Sequence, residues 1–256
     1  MPKFAANLSL LFTEYPFLDR FQAAAAAGFQ AVEVQFPYGF DPARIAEQLA
    51  THQLEMVLHN LPAGDWAAGE RGIACDPARV TEFRQGVSQA LAYAQALGVK
   101  QLNCLAGIAP TTTIPPALAR QTLLDNLRYA ADQLKPHGIR LLIEPINTFD
   151  IPGFFLCHSH QALALIEDSG CDNLFLQYDI YHMQRMEGEL ANTIQANLDR
   201  ISHIQLADNP GRGEPGSGEI NYHFLLPLLD RIGYRGWVGC EYLPMAGTVA
   251  GLAWRP

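Results

Sequence analysis

Short runs of aliphatic and β-branched residues recur along the chain, separated by longer alanine- and leucine-rich stretches. The short runs predict strands at 4–10, 31–36, 54–59, 100–105, 139–144, 174–179, 201–206 and 236–241. Between them, helical periodicity marks 19–28, 77–98, 118–134 and 159–170, with Gly28, Gly98 and Gly170 standing where helix ends favour glycine. Eight strands alternating with helices predict an α/β fold, a single (β/α)8 TIM barrel covering 1–256 as one domain. A doubly wound open sheet is the competing layout. The barrel is preferred because the strands number eight and no G-x-G-x-x-G follows any of them.

The last four strands carry a second pattern. Side chains alternate between the two faces of a strand, and in a barrel the chemistry gathers at the C-terminal strand ends. The final inward positions of strands five to eight are Glu144, Asp179, Gln205 and Glu241, in RLLIEPIN, LFLQYD, ISHIQL and WVGCEY. Two residues earlier on the same face stand Leu142, Gln177, His203 and Gly239, while Ile143, Tyr178, Ile204 and Cys240 face the helices.

Three carboxylates at one mouth repel one another; a pair at ~4 Å costs on the order of 4 kcal/mol at an effective dielectric near 20. They are protonated, spread into water or onto arginines as a solvated rim, or neutralised by a cation. The cation is the preferred reading. Three carboxylates and an amide oxygen suit a hard divalent ion, Mg²⁺ first and Mn²⁺ as the alternative, better than zinc. Glu144, Asp179, Gln205 and Glu241 are its expected ligands. Strands five and eight lie apart on the ring, so Glu144 and Glu241 approach a small substrate from separate sides. That arrangement suits moving a proton between neighbouring carbons of a polarised ketone.

Composition narrows the partners. Hydrophobic residues make up 49% and charged residues 17%, the balance of a packed globule. A formal charge of −9, without a basic run, argues against binding nucleic acid through its phosphates. A small anionic substrate needs only one or two local arginines. Cys75, Cys104, Cys157, Cys171 and Cys240 are odd in number and contain no C-x-x-C pair, which points to a reducing, cytoplasmic compartment. The N-terminal apolar run is broken by Asn7 and Ser9 and reads as a first strand rather than a leader, and no segment reaches membrane-spanning length. A homo-oligomer is compatible with the sequence, which does not set the number of copies.

GFQAVEVQFPY (28–38), LPAGDWAAGERGIA (61–74), EPINTFDIPGFF (144–155), QYDIYHMQ (177–184), HIQLADNPGRGEPGSGEINY (203–222) and GWVGCEY (236–242) together resemble the hydroxypyruvate isomerase family. This is a branch of the xylose isomerase-like barrels, and the likeness covers essentially the whole chain. The resemblance implies interconversion of hydroxypyruvate and 2-hydroxy-3-oxopropanoate (tartronate semialdehyde), with Glu144 and Glu241 matching the acid/base pair. It also implies a metal at the strand-end set, where related ketose 3-epimerases carry a histidine in place of Gln205. Phe149 stands where the isomerases tend to carry arginine. That departure brings 2-oxo-tetronate isomerase and ketose 3-epimerase forward as alternatives.

Several further residues are expected around such a site. His182, three after Asp179, is placed to hydrogen-bond a substrate oxygen. Arg212 and Arg71 are the candidate clamp for a substrate carboxylate, because the guanidinium fork suits it, with Glu70 holding Arg71. Asn7 and Glu33 face the same mouth from strands one and two. His203 and Gln177 are read as neighbours of the ligands or as core. Trp66 and Phe154 cover the site as a lid or pack as local cores. GEPGSGE (213–219) is a weak phosphate signal and reads as a flexible active-site loop. An apurinic endonuclease-like barrel would need a histidine-rich multi-zinc site and a basic face, which Gln205 and the acidic balance disfavour. A non-catalytic binding barrel is disfavoured by the presence of both glutamates.

Overall fold

Eight parallel strands close into a barrel in chain order, with the last hydrogen-bonded back to the first. The computed structural model describes residues 2–110 and 112–255. The strands are β1 (Lys3–Asn7), β2 (Ala31–Val34), β3 (Glu55–Asn60), β4 (Gln101–Cys104), β5 (Arg140–Ile143), β6 (Leu174–Asp179), β7 (Ile201–Leu206) and β8 (Trp237–Cys240). Around them lie α1 (Asp19–Ala26), α2 (Pro42–His52), α3 (Val80–Leu97), α4 (Pro116–Leu134), α5 (Ser159–Ser169), α6 (Ile180–Met186), α7 (Leu190–Ala196) and α8 (Tyr222–Arg231). The closed barrel, rather than the open sheet, is therefore the architecture.

Local chemistry sets the boundaries. Asp41 opens α2 by accepting the Ala43 N–H at 2.8 Å, with Pro42 at the first helical position. Gly28, Gly98 and Gly170 take the left-handed φ that ends a helix cheaply. β1 stops at Asn7, earlier than the expected 4–10. Its side-chain oxygen accepts the Ser9 N–H and its carbonyl accepts Leu10 and Leu11, so the chain turns there. The expected helix 77–98 starts with a 3-10 turn at Pro77–Arg79 before α3 begins.

Two apolar layers hold the barrel. Ala5, Ala31, Val57, Leu58 and Leu142 form a plug inside it. Ile143, Tyr178, Ile204 and Cys240 belong to the larger cluster between strands and helices, as alternation requires. A register shift between Val32 and Glu33 leaves Val57 without a partner in β2, so consecutive residues of β3 both join the plug. Each buried valine or leucine contributes about 1.5–3 kcal/mol, and each alanine less. The plug closes the lower barrel, with an Arg140–Ser202–Gln101 network at the strand starts and the main polar layer above it, toward the C-terminal strand ends.

Candidate active site

Above the plug lies a polar layer built on a buried carboxylate. Glu33 is 1% exposed and accepts three side-chain donors: Asn7 Nδ2 at 2.9 Å, Gln205 Nε2 at 2.8 Å, and His203 Nε2 at 2.7 Å. Gln205 Oε1 in turn accepts Gln177 Nε2 at 2.6 Å. The layer fits only because Gly239 has no side chain. A Cβ there would lie 2.4 Å from both Glu33 oxygens.

The carboxylates expected at the mouth are all present and nearly inaccessible: Glu144 at 4%, Asp179 at 0% and Glu241 at 4% exposure. Glu144 and Glu241 stand one residue beyond β5 and β8, where the chain has left the sheet but is still aimed by it. Glu144 Oε2 accepts Asn103 Nδ2 at 2.8 Å. Glu241 Oε1 accepts Gln35 Nε2 at 2.5 Å, and its Oε2 lies 3.4 Å from the Arg212 guanidinium. Asp179 ends β6 and caps α6 at once. Its Oδ1 accepts the N–H of Tyr181 at 2.8 Å and of His182 at 3.3 Å, while Oδ2 is buried with no partner.

Burial dominates the electrostatics. It pushes the Glu241 carboxyl up to about 8, with Arg212 opposing and Asp179 and Glu33 adding to the rise. Burial, then Glu241 and Asp179, drives Glu144 well above the carboxylate range. Asp179 is raised by burial against the pull of Arg212 and the two capping N–H groups. Burial lowers Arg212, but Glu241, Asp179 and Glu144 outweigh it and hold the guanidinium protonated. One cation thus faces three carboxyls.

His182 is positioned by Asn147. The Asn147 Oδ1 accepts the backbone N–H of Phe149 at 3.1 Å and of Asp150 at 2.8 Å, which fixes the amide orientation. Its Nδ2 therefore donates to His182 Nδ1 at 2.7 Å. Burial, followed by Arg212 and Arg185, keeps the ring well below its usual pKa and so neutral. The single ring proton then sits on Nε2, which lies 3.7 Å from Asp179 Oδ2 and 3.9 Å from Glu144 Oε1. Among the described residues, Glu144, Asp179 and His182 bring their ligand atoms within 4.8 Å of one another. The free Asp179 oxygen is what fits a cation here, since a buried carboxylate oxygen without a donor is costly. The protonated Nε2 is better suited to donating a hydrogen bond than to ligating.

These groups surround a cavity that is open at its mouth. Asn7, Glu33, Glu144, His182, Gln205, Arg212 and Glu241 line it. Asp179 lies behind that surface. Arg71 does not line it; the guanidinium donates to the carbonyls of Trp66 and Glu70 and lies 4.2 Å from the Trp66 ring centre. Glu70 holds Arg79 and the Asp65 N–H instead of the Arg71 side chain. Trp66 lines the cavity and packs on Phe36 at 5.0 Å, whereas Phe154 is 3% exposed and belongs to the core.

Three supporting residues escaped the sequence reading. Gln35 and Asn103 were accessible to it, since alternation from Glu33 and along KQLNCL turns both inward. Asn147 was not, because its role depends on a loop folding back on itself. The GEPGSGE segment also differs from expectation. It is a hydrogen-bonded loop closed around the Asp208 carboxylate.

Residues 21–255 match the family model described as xylose isomerase-like TIM barrel. The chain is 58% identical to the hydroxypyruvate isomerase of Escherichia coli strain K12, over 99% of this chain and 98% of the relative. It is 46% identical to a 2-oxo-tetronate isomerase of Cupriavidus necator, over 99% and 97%. A crystal structure described as an AP endonuclease, family 2, from Brucella melitensis superposes with a TM-score of 0.96 at 49% identity, covering 99% of this chain and 98% of that one. With barrel and sequence in agreement over nearly the full length, the chain belongs to the xylose isomerase-like TIM barrel family.

Proposed function

We propose that the protein is an aldose–ketose isomerase of short 2-oxo acids, interconverting hydroxypyruvate and 2-hydroxy-3-oxopropanoate. The observation that carries this reading is the pair Glu144 and Glu241. Both are buried in one cavity with raised proton affinity, beside a guanidinium and a neutral imidazole N–H. A carboxyl poised near neutrality can take and return a proton in one cycle.

One glutamate removes a proton from C3 of hydroxypyruvate, and the electron pair moves onto the C2 carbonyl as an enediolate forms. A proton delivered to C2 and transfer of the O3 proton to O2 complete the 2-hydroxy aldehyde, so the atoms balance without an oxidant. Arg212 pairs with the substrate carboxylate, and the His182 Nε2–H donates to the oxygen that gains charge. Trp66, braced by Phe36 and Arg71, limits water at the mouth. Glu144, Asp179, Gln205 and Glu241 would hold a divalent ion, Mg²⁺ first and Mn²⁺ as the alternative. Such an ion supplies Lewis acidity toward the substrate carbonyl when bound.

The runner-up is 2-oxo-tetronate isomerisation. Phe149 is 66% exposed, with Arg185 4.8 Å from its ring centre, so position 149 supplies no guanidinium to a substrate carboxylate. An endonuclease reading finds little support, because the clustered ligand atoms include one histidine and the chain carries −9. Metal-stripped protein should be offered hydroxypyruvate and 2-oxo-tetronate in deuterated water, with Mg²⁺ or Mn²⁺ restored in turn. Turnover with deuterium entering the product carbon is expected. Absence of turnover on both acids with either ion would refute the proposal.

A further inference from the structure

The loop that carries Arg212 is folded around a carboxylate of its own. Asp208 is 0% exposed, and both of its oxygens are filled by backbone N–H groups. Oδ1 accepts Asn209 at 2.9 Å and Ile220 at 3.0 Å; Oδ2 accepts Gly216 at 2.8 Å and Gly218 at 2.9 Å. Four converging N–H dipoles are the usual cradle of a bound anion. Here the chain's own side chain occupies that cradle, which is why the glycine-rich run has no vacancy for a phosphate.

The same loop fixes Arg212. The Asp208 N–H donates to Gly213 O at 2.8 Å, closing a short reversal with Arg212 inside it at a left-handed φ of 54°. The Arg212 carbonyl is pinned by the Leu243 N–H at 2.8 Å, on the segment that follows Glu241. At Gly218 the path around the carboxylate leaves no room for a side chain. A Cβ on Gly218 would lie 2.1 Å from the Asn209 carbonyl and 2.7 Å from Asp208 Oδ1.

We infer that Asp208 is the positioning residue for Arg212: its carboxylate templates the 209–220 loop and thereby sets the affinity of the site for an anionic substrate. This rests on the proposed role of Arg212 as the carboxylate clamp. An arginine in a left-handed conformation pays a conformational cost that is stable only if its surroundings over-determine it. The Asp208 nest supplies that constraint from a group that lies behind the cavity surface.

The test is a double-mutant cycle on the full-length protein with hydroxypyruvate as substrate. Arg212→Ala should raise KM by about 10- to 100-fold, the scale of a lost charged hydrogen bond. Asp208→Asn keeps the shape but turns an NH₂ toward the Gly216 and Gly218 donors, and should raise KM roughly tenfold with a smaller change in kcat. The double variant should match Arg212→Ala alone, because both act through one contact. Unchanged KM in Asp208→Asn, or multiplicative effects in the double variant, would overturn the inference. Should Asp208→Asn not fold, Gly218→Ala keeps the carboxylate's charge but crowds it and the Asn209 carbonyl, so it displaces the same loop and is read identically. On the unmodified protein, the amides of residues 209, 216, 218 and 220 should exchange slowly despite lying in a loop; fast exchange would remove the nest. A wild-type KM insensitive to Arg212→Ala would instead count against the clamp itself.

Discussion

Glu144 and Glu241 sit at the point where residue chemistry and burial act against each other. A carboxylate taken out of water is destabilised by several kcal/mol unless compensated, and the single guanidinium of Arg212 compensates three. Glu144→Gln and Glu241→Gln should each lower kcat by about 10²- to 10⁴-fold, with unchanged far-UV circular dichroism. Retained turnover in either would remove that glutamate from the proton path. His182 offers a sharper test through its neighbour. Asn147→Asp would accept from Nδ1 where asparagine donates, moving the ring proton away from Nε2. The ¹⁵N shifts of His182 should report that change of tautomer, with kcat/KM falling by roughly tenfold or more. A variant with native ¹⁵N shifts would show that Asn147 does not set the proton's position.

At the scale of elements, the site depends on strands whose ends serve two purposes. β6 delivers Asp179 both as a strand-end carboxylate and as the cap of α6, so one oxygen is fixed by backbone N–H and the other is left facing inward. β8 contributes an absence: Gly239 leaves the volume that Glu33 fills. Gly239→Ala should destabilise the protein by about 2–4 kcal/mol, since Glu33 is held by three donors and cannot swing away without leaving them unpaired. Thermal unfolding reads this directly. A wild-type Tm would mean the polar layer is softer than its hydrogen bonds suggest.

Across the whole molecule, the acidic mouth couples stability to pH. The folded-state Glu241 pKa of about 8 lies above its ordinary value of 4.5. Between these limits the folded protein keeps a proton that the unfolded chain has released, so stability falls as pH rises through the window. The loss is on the order of a few kcal/mol. Cation-stripped protein should therefore lose Tm from pH 5 to pH 8, and Mg²⁺ should restore more at pH 8 than at pH 5. A flat profile in stripped protein would contradict the burial of these carboxyls. Of the five unpaired cysteines, Cys75, Cys104 and Cys240 are buried too, and burial pushes the Cys75 thiol up to about 12. Among the described residues, no helix is long and apolar enough to cross a membrane.

Much of this was legible in one dimension. The period of two in LFLQYD, ISHIQL and WVGCEY dictates which side chains turn inward, because successive residues of a strand must face opposite ways. Eight such strands with helices between them leave few ways to bury their apolar faces other than a closed barrel. The sequence alone therefore predicted one mouth for Glu144, Asp179, Gln205 and Glu241, of which Glu144, Gln205 and Glu241 line the cavity and Asp179 lies just behind its surface. Tertiary structure decided what no local period encodes. The Asn147 amide fixes the His182 proton, Arg71 is drawn to Trp66 and away from the cavity, and Asp208 gathers four amides from a loop twelve residues long. Each of these depends on a directional contact between segments whose meeting is set by barrel closure, and hydrogen bonds of that kind leave no repeating trace along the chain.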